Sequence, residues 1–175
     1  YTTLFRSFGI SFTATHLNQG GALLVVYMDG SVSCNHGGTE MGQGLNTKMA
    51  QVCADGLGIS VDKVRITATD SQKVPNASAT SASSGADING AAIMNATAQM
   101  RERLKPVAAR MLGCSEADIT FANSEAHGGG KSVKWEDVTK QAWLDRVGLS
   151  VTGFYMTPEI KYDFTTLNGR AFYYY

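Results

Sequence analysis

The sequence predicts a mixed α+β domain. Short apolar, β-rich runs alternate with two longer segments whose apolar residues fall at helical spacing. Glycine-containing turns separate these runs, and no internal repeat or low-complexity tract breaks the alternation. A chain of 175 residues is long enough for one domain with a sizeable core.

Taken in order, Gly21 to Tyr27 (GALLVVY) reads as a strand, Met28-Asp29-Gly30 as a turn and Ser31 to Asn35 as the returning strand. His36 to Gly44 (HGGTEMGQG) is a glycine-rich loop. A helix follows from about Leu45 to Leu57, because Leu45, Met49, Val52, Cys53 and Leu57 share one face and Gly58 suits the cap. Lys63 to Thr69 alternates like a half-buried strand. Asp70 to Gly85 is a second long loop, rich in Ser, Ala and Thr. A long helix is expected from about Asp87 to Leu112, kinked or split at Pro106 and ended by Gly113. Short strands near Ile119 to Phe121 and Ser132 to Lys134 flank a glycine turn. Trp135 to Asp145 reads as a short helix and Leu149 to Tyr155 as a strand.

Charge excludes some functions. The 15 basic and 15 acidic residues give a net charge of zero, which argues against a nucleic-acid binder working by bulk electrostatics. No apolar run approaches the roughly 20 residues that span a bilayer. Cys34, Cys53 and Cys114 are odd in number and contain no CxxC pair, so they read as reduced structural thiols of a cytoplasmic protein. Tyr1 to Ser7 reads as a non-native, adapter-derived extension and is left out of the fold argument.

Two features share one design: a small-residue loop running straight into a helix. They are Gly37 to Gly44 and Thr80 to Asp87. Helix N-termini present unpaired N–H groups and partial positive charge, and glycine admits a ligand close to the backbone. Each loop alone reads equally as a connector, with Ser83 or Ser84 as an N-cap. Together they suggest a cradle for a phosphate or other anionic cofactor, with the Gln43 amide able to donate and accept. His36 and Glu40 lie four apart in a loop with no third ligand nearby, so hydrogen bonding is expected rather than metal binding. His16 and His127 are isolated. His127-Gly-Gly-Gly130 lacks the G-x-S-x-G elbow of an esterase, and Gly130-Lys-Ser132 lacks the first glycine and the helix of a P-loop, so this stretch reads as a hairpin turn. By position alone Phe12 reads as a core aromatic.

Several stretches carry a resemblance: Phe8 to Thr13, His16 to Gln19, His36 to Gly44, Val74-Pro-Asn76, Thr80 to Gly90, and Phe154-Tyr-Met-Thr-Pro158. In order along the chain they resemble the molybdenum-binding part of the xanthine dehydrogenase/aldehyde oxidase superfamily, and within it the xanthine dehydrogenase branch of bacterial type. The resemblance implies that residues 8–175 are a fragment of the molybdopterin-binding domain, truncated at both ends. It implies a hydroxylase that oxidises xanthine or hypoxanthine to urate with water as the oxygen source. Electrons then pass through iron–sulfur (2Fe-2S) clusters and FAD to NAD, in a partner subunit or other domains, within a cytoplasmic oligomer of heterodimers.

Residue by residue, the resemblance places Met41, Gly42 and Gln43 in one cofactor-contacting loop and Thr80, Ala82 and Ser83 in a second. Phe12 and Thr13 match the substrate pocket, where the ring of Phe12 meets the purine. No catalytic residue and no direct metal ligand falls in this chain. The departures are Ser81 and Gly85, where the family carries alanine and sometimes serine, and Met156, where arginine is common. Alternatives are an aldehyde or another N-heterocycle as substrate, or a non-catalytic member of the same fold. The isolated chain is expected neither to hold molybdenum tightly nor to turn over xanthine.

Overall fold

Three small residues, Gly20 to Ala22, lead into four branched ones, Leu23 to Val26, along β1 (Gln19–Val26), and this strand runs inside the main sheet. The structure is a computed structural model and describes residues 18–74, 77–81 and 83–170. From β1 the chain turns at Asp29-Gly30 into β2 (Val32–His36), antiparallel and in register from Val26 opposite Val32 to Ala22 opposite His36. Asp29 fixes the turn. Its carboxylate accepts from the Ser31 N–H at 2.9 Å and the Ser31 hydroxyl at 2.7 Å, which hold its pKa below the ordinary carboxylate value.

Helix α1 (Leu45–Leu57) carries the chain across to β3 (Val64–Ile66), which lies parallel to β2. Much later β7 (Ser150–Met156) returns along the other side of β1, giving the order β3-β2-β1-β7. One face of this sheet, carrying Ala22, Leu24, Val26, Val32, Cys34 and Val151, is buried. The long helix α2 (Gly85–Leu112) packs on β1, β7 and α1.

Glycines set how closely α2 can approach. A Cβ on Gly153 would lie 2.1 Å from the Ala92 carbonyl oxygen, and one on Gly56 2.4 Å from Thr97 Oγ1. Gly153→Ala is therefore expected to cost about 1–3 kcal/mol through overpacking. Chemical denaturation of the full-length protein checks it, and an unchanged midpoint would contradict the seam.

A smaller antiparallel meander follows α2: β4 (Thr120–Ala122), β5 (Glu125–Gly128) and β6 (Lys131–Lys134). It leads into α3 (Trp135–Leu144). An exposed hairpin of β8 (Lys161–Asp163) and β9 (Asn168–Arg170) follows β7.

The mixed α+β class is as expected, and α1 has the expected bounds. Three details differ and one is narrowed. The expected strand from Lys63 to Thr69 stops at Ile66, because the Thr67 hydroxyl turns to Asn35 Oδ1 and that of Thr69 to the carbonyls of His36 and Gly38. Of the two outcomes expected at Pro106, a kink or a split, the split does not occur: α2 runs through it as one helix. The proline removes one backbone donor, while Leu104, Val107 and Ala108 are buried on either side of it. Strand β5, and the β8–β9 hairpin, were not expected. The glycine turn at Gly129-Gly130 joins β5 to β6, with both glycines at positive φ.

All three cysteines are free, as expected. Cys34 and Cys53 face each other in the core, and the hydrogen bond between them and burial push the Cys53 thiol far above its ordinary value. Among the described residues no helix is long and apolar enough to cross a membrane, and no group of three or more His, Cys, Asp or Glu side chains is placed to hold a metal ion.

Candidate functional site

Because β2 ends at His36 and α1 starts at Leu45, the glycine loop sits at one end of the sheet. The segment preceding α2 comes to the same place. Ser78 clamps it to the start of β1: Gln19 N–H donates to Ser78 Oγ, and Ser78 N–H to the Gln19 carbonyl, both at 2.9 Å. The loops then touch directly. Thr39 N–H donates to Thr80 Oγ1 at 2.8 Å. Close packing continues beneath, where a Cβ on Gly38 would meet Leu45 Cδ2 at 2.5 Å and Asn89 Nδ2 at 2.9 Å. The expected convergence of two loop-to-helix junctions is thus a feature of the fold.

Their electrostatics differ from the simple expectation of two free helix ends. The first turn of α1 is already occupied. Glu40 folds back over it, accepting from Gly42 N–H at 2.8 Å and Gly44 N–H at 3.1 Å on Oε1, and from Asn46 N–H at 2.9 Å on Oε2. These bonds, that of Asn46 foremost, hold the Glu40 carboxyl below its ordinary pKa. Gly44, at the N-cap, has no side chain to offer, so the carboxylate from four residues upstream takes the capping role.

At α2 the case is the reverse. Ser84 stands at the N-cap but makes no side-chain cap, and its hydroxyl instead donates to the Ser81 carbonyl at 3.2 Å. Asp87, in the first turn, is partly desolvated, which raises its pKa. Among the described residues the α2 terminus, uncapped by the Ser84 side chain, is the one that offers backbone donors to an outside anion.

The predicted residues are placed as follows. Met41, Gly42 and Gln43 form an exposed ridge, with Met41 67% exposed. Gln43 folds inward along that ridge: its Oε1 accepts from Met41 N–H at 2.5 Å, and its Nε2 donates to the Thr39 carbonyl at 2.8 Å. Gly42 and Gly44 have positive φ, and a Cβ there would meet nothing within 4 Å, so the backbone faces open space. Thr80 is half-buried at the junction. Ser83 is exposed, with a φ of 58°, a strained value for a non-glycine residue. Phe12, Thr13, Ala82 and His16 lie outside the described residues.

His36 has the hydrogen-bonding role expected of it. Gly38 N–H donates to Nδ1 at 3.1 Å, and Nε2 pairs with Asn46 Oδ1 at 3.1 Å. His127 Nε2 lies 3.2 Å from the Ala122 carbonyl, inside the small meander and away from these loops. Sequence reasoning missed Glu40 as a cap. The available signal was an acidic residue shortly before a helix whose N-cap is glycine.

The family profile described as "Molybdopterin cofactor-binding domain" matches residues 1–175. The chain is 46% identical over 168 residues to the xanthine dehydrogenase/oxidase of Gallus gallus, covering 96% of this chain and 11% of that protein. It is 44% identical over 168 residues to the xanthine dehydrogenase of Emericella nidulans, again with 96% and 11% coverage. Among solved structures, quinoline 2-oxidoreductase from Pseudomonas putida 86 superposes with a TM-score of 0.75 at 24% identity, over 87% of this chain and 22% of that one. A CO dehydrogenase from Oligotropha carboxidovorans superposes with a TM-score of 0.73 at 24% identity, over 79% and 18%. These two likenesses speak to the fold.

Proposed function

Since the chain belongs to the molybdopterin cofactor-binding domain family, we propose that it supplies two loops of the cofactor site in a xanthine dehydrogenase-type molybdenum hydroxylase. One observation carries the reading: the Thr39 N–H to Thr80 Oγ1 hydrogen bond of 2.8 Å, which joins the two loops into one surface. The residues fit a cofactor of this kind. The open backbone at Gly42 and Gly44 leaves room for a flat ring system, and the uncapped start of α2 suits its phosphate. Met41, Gly42 and Gln43 hold it from one side, and Thr80, Ala82 and Ser83 from the other.

When bound, the molybdenum cofactor supplies two-electron oxidation of a substrate carbon with water as the oxygen source. The residues of this chain orient and enclose. Phe12 stacks on the substrate ring and Thr13 lines the pocket. Glu40 does not act as the proton acceptor, because both of its oxygens are engaged by backbone N–H groups. We assign a purine, xanthine or hypoxanthine, as substrate. We assign 2Fe-2S clusters, FAD and NAD as the electron route in other domains or a partner subunit, in a cytoplasmic assembly.

The test uses the full-length protein co-expressed with its electron-transfer partner. Stoichiometric molybdenum together with xanthine-dependent NAD reduction is the expected result. Molybdenum without xanthine turnover would move the substrate to an aldehyde or another N-heterocycle. Absence of molybdenum, from cells shown to make the cofactor, would overturn the reading.

A further inference from the structure

His36 is buried, with 2% of its surface exposed, at the point where β2 passes into the glycine loop. Its two ring nitrogens face opposite ends of that loop. Nδ1 accepts from Gly38 N–H at 3.1 Å. A nitrogen that accepts carries no proton, so the ring hydrogen sits on Nε2 and donates to Asn46 Oδ1 at 3.1 Å. Gly38 opens the loop, and Asn46 is the second residue of α1. Asn46 in turn gives its N–H to Glu40 Oε2 at 2.9 Å, and Glu40 holds the middle of the loop. One imidazole therefore bridges the mouth of the loop and connects to the carboxylate inside it.

We propose that His36 is the positioning residue of the cofactor loop, a latch that sets the shape of residues 37–46 and works only as the neutral Nε2–H tautomer. As a statement about the cofactor it rests on the function proposed above.

Chemistry makes the latch conditional. A second proton would go on Nδ1 and point at the Gly38 N–H, setting two donors against each other in a buried site. The surroundings resist that proton. Burial lowers the His36 pKa from 6.5, while the Asn46 bond and the field of Glu40 oppose the shift. Glu40 is the charged group whose field reaches the ring. Ala22, opposite His36 on β1, and Leu45 of α1 and Asn89 of α2, which crowd Gly38 beside Nδ1, carry no charge.

The sign follows from a folded-state pKa below the unfolded one. The contribution of His36 to stability is complete above pH 6.5 and is lost as pH falls from there through the lower folded value. The Glu40 contribution is different in range. Its folded pKa lies below 4.5, so its contacts persist until the solution is more acidic than that.

The test uses the full-length protein, in cofactor-free and loaded forms, with His36→Ala, His36→Gln and His36→Asn. Glutamine can donate towards Asn46, and asparagine can accept from Gly38, so each restores one half of the latch. Proteolytic cleavage within residues 37–46 reads the loop directly. His36→Ala is expected to raise that cleavage about 5- to 30-fold, and each half-latch variant less. Wild-type cleavage is expected to rise between about pH 7 and about pH 5, and His36→Gln to lose that dependence. A flat wild-type profile, or an unchanged profile in His36→Gln, would overturn the latch. Molybdenum content of the same variants separates the two readings. A loop that opens in His36→Ala without loss of molybdenum leaves the latch standing and counts against the cofactor role of the loop. Lost molybdenum with an unopened loop counts against the latch alone.

Discussion

Trp135→Ala is expected to remove about 3–5 kcal/mol of stability, the largest single effect in the fold. Trp135 is fully buried at the first position of α3 and joins three parts of the molecule. Its Nε1–H donates to the Gly30 carbonyl at 2.8 Å, in the turn between β1 and β2. The Trp135 ring meets Phe121 of β4 edge-on, with centroids 6.0 Å apart. Its backbone N–H donates to the Ser124 carbonyl at 2.9 Å. Alanine removes the ring and leaves a cavity between the small meander and the main sheet, with the Gly30 carbonyl unpaired. Trp135→Phe is milder: it keeps one aromatic ring and loses the N–H with part of the indole volume, at about 1–3 kcal/mol. Urea denaturation of the full-length protein reads both. A Trp135→Ala cost below that of Trp135→Phe would contradict this account of the junction.

Glu40→Ala carries the largest expected effect on the site. With the carboxylate gone, Gly42, Gly44 and Asn46 lose a shared acceptor, and the ridge that bears Met41 and Gln43 loses its internal support. Groups that orient a metal site from behind typically change its affinity about 10- to 100-fold, and a loss in that range is expected here for the molybdenum cofactor. Glu40→Gln should fall between the two. It keeps one oxygen for Gly42 and Gly44 but turns an amide N–H towards the Asn46 N–H. Molybdenum analysis of purified full-length variants, beside their melting temperatures, checks this. Full molybdenum content in Glu40→Ala would show that the loop needs no anion of its own.

How much of this was legible in the sequence varies by element. Helix α1 is legible to the residue because Leu45, Met49, Cys53 and Leu57 mark one stripe and Gly58 supplies the left-handed cap at φ 74°. The start of α2 is less so. Small residues from Thr80 to Ala86 carry no periodicity, and the helix begins at Gly85, two residues before the expected Asp87. Strand β5 is hidden because Glu-Ala-His-Gly has no β-branched residue, and it exists through its neighbours β4 and β6. The β8–β9 hairpin is exposed throughout, so no apolar alternation marks it.

The site divides in the same way. Two glycine- and serine-rich loops ahead of helices can be read from residue order. That Thr39 bonds Thr80 across 41 positions, and that Glu40 neutralises one helix start and leaves the other open, depends on tertiary geometry.

The central claim is that these two loops face one cofactor. A molybdenum anomalous-difference map from crystals of the full-length, loaded protein tests it most directly. The account predicts that the anomalous peak and its organic density lie against Met41 to Gln43 on one side and Thr80 to Ser83 on the other, with density for an anionic group at the start of α2. A molybdenum peak at a place that neither loop reaches would contradict it.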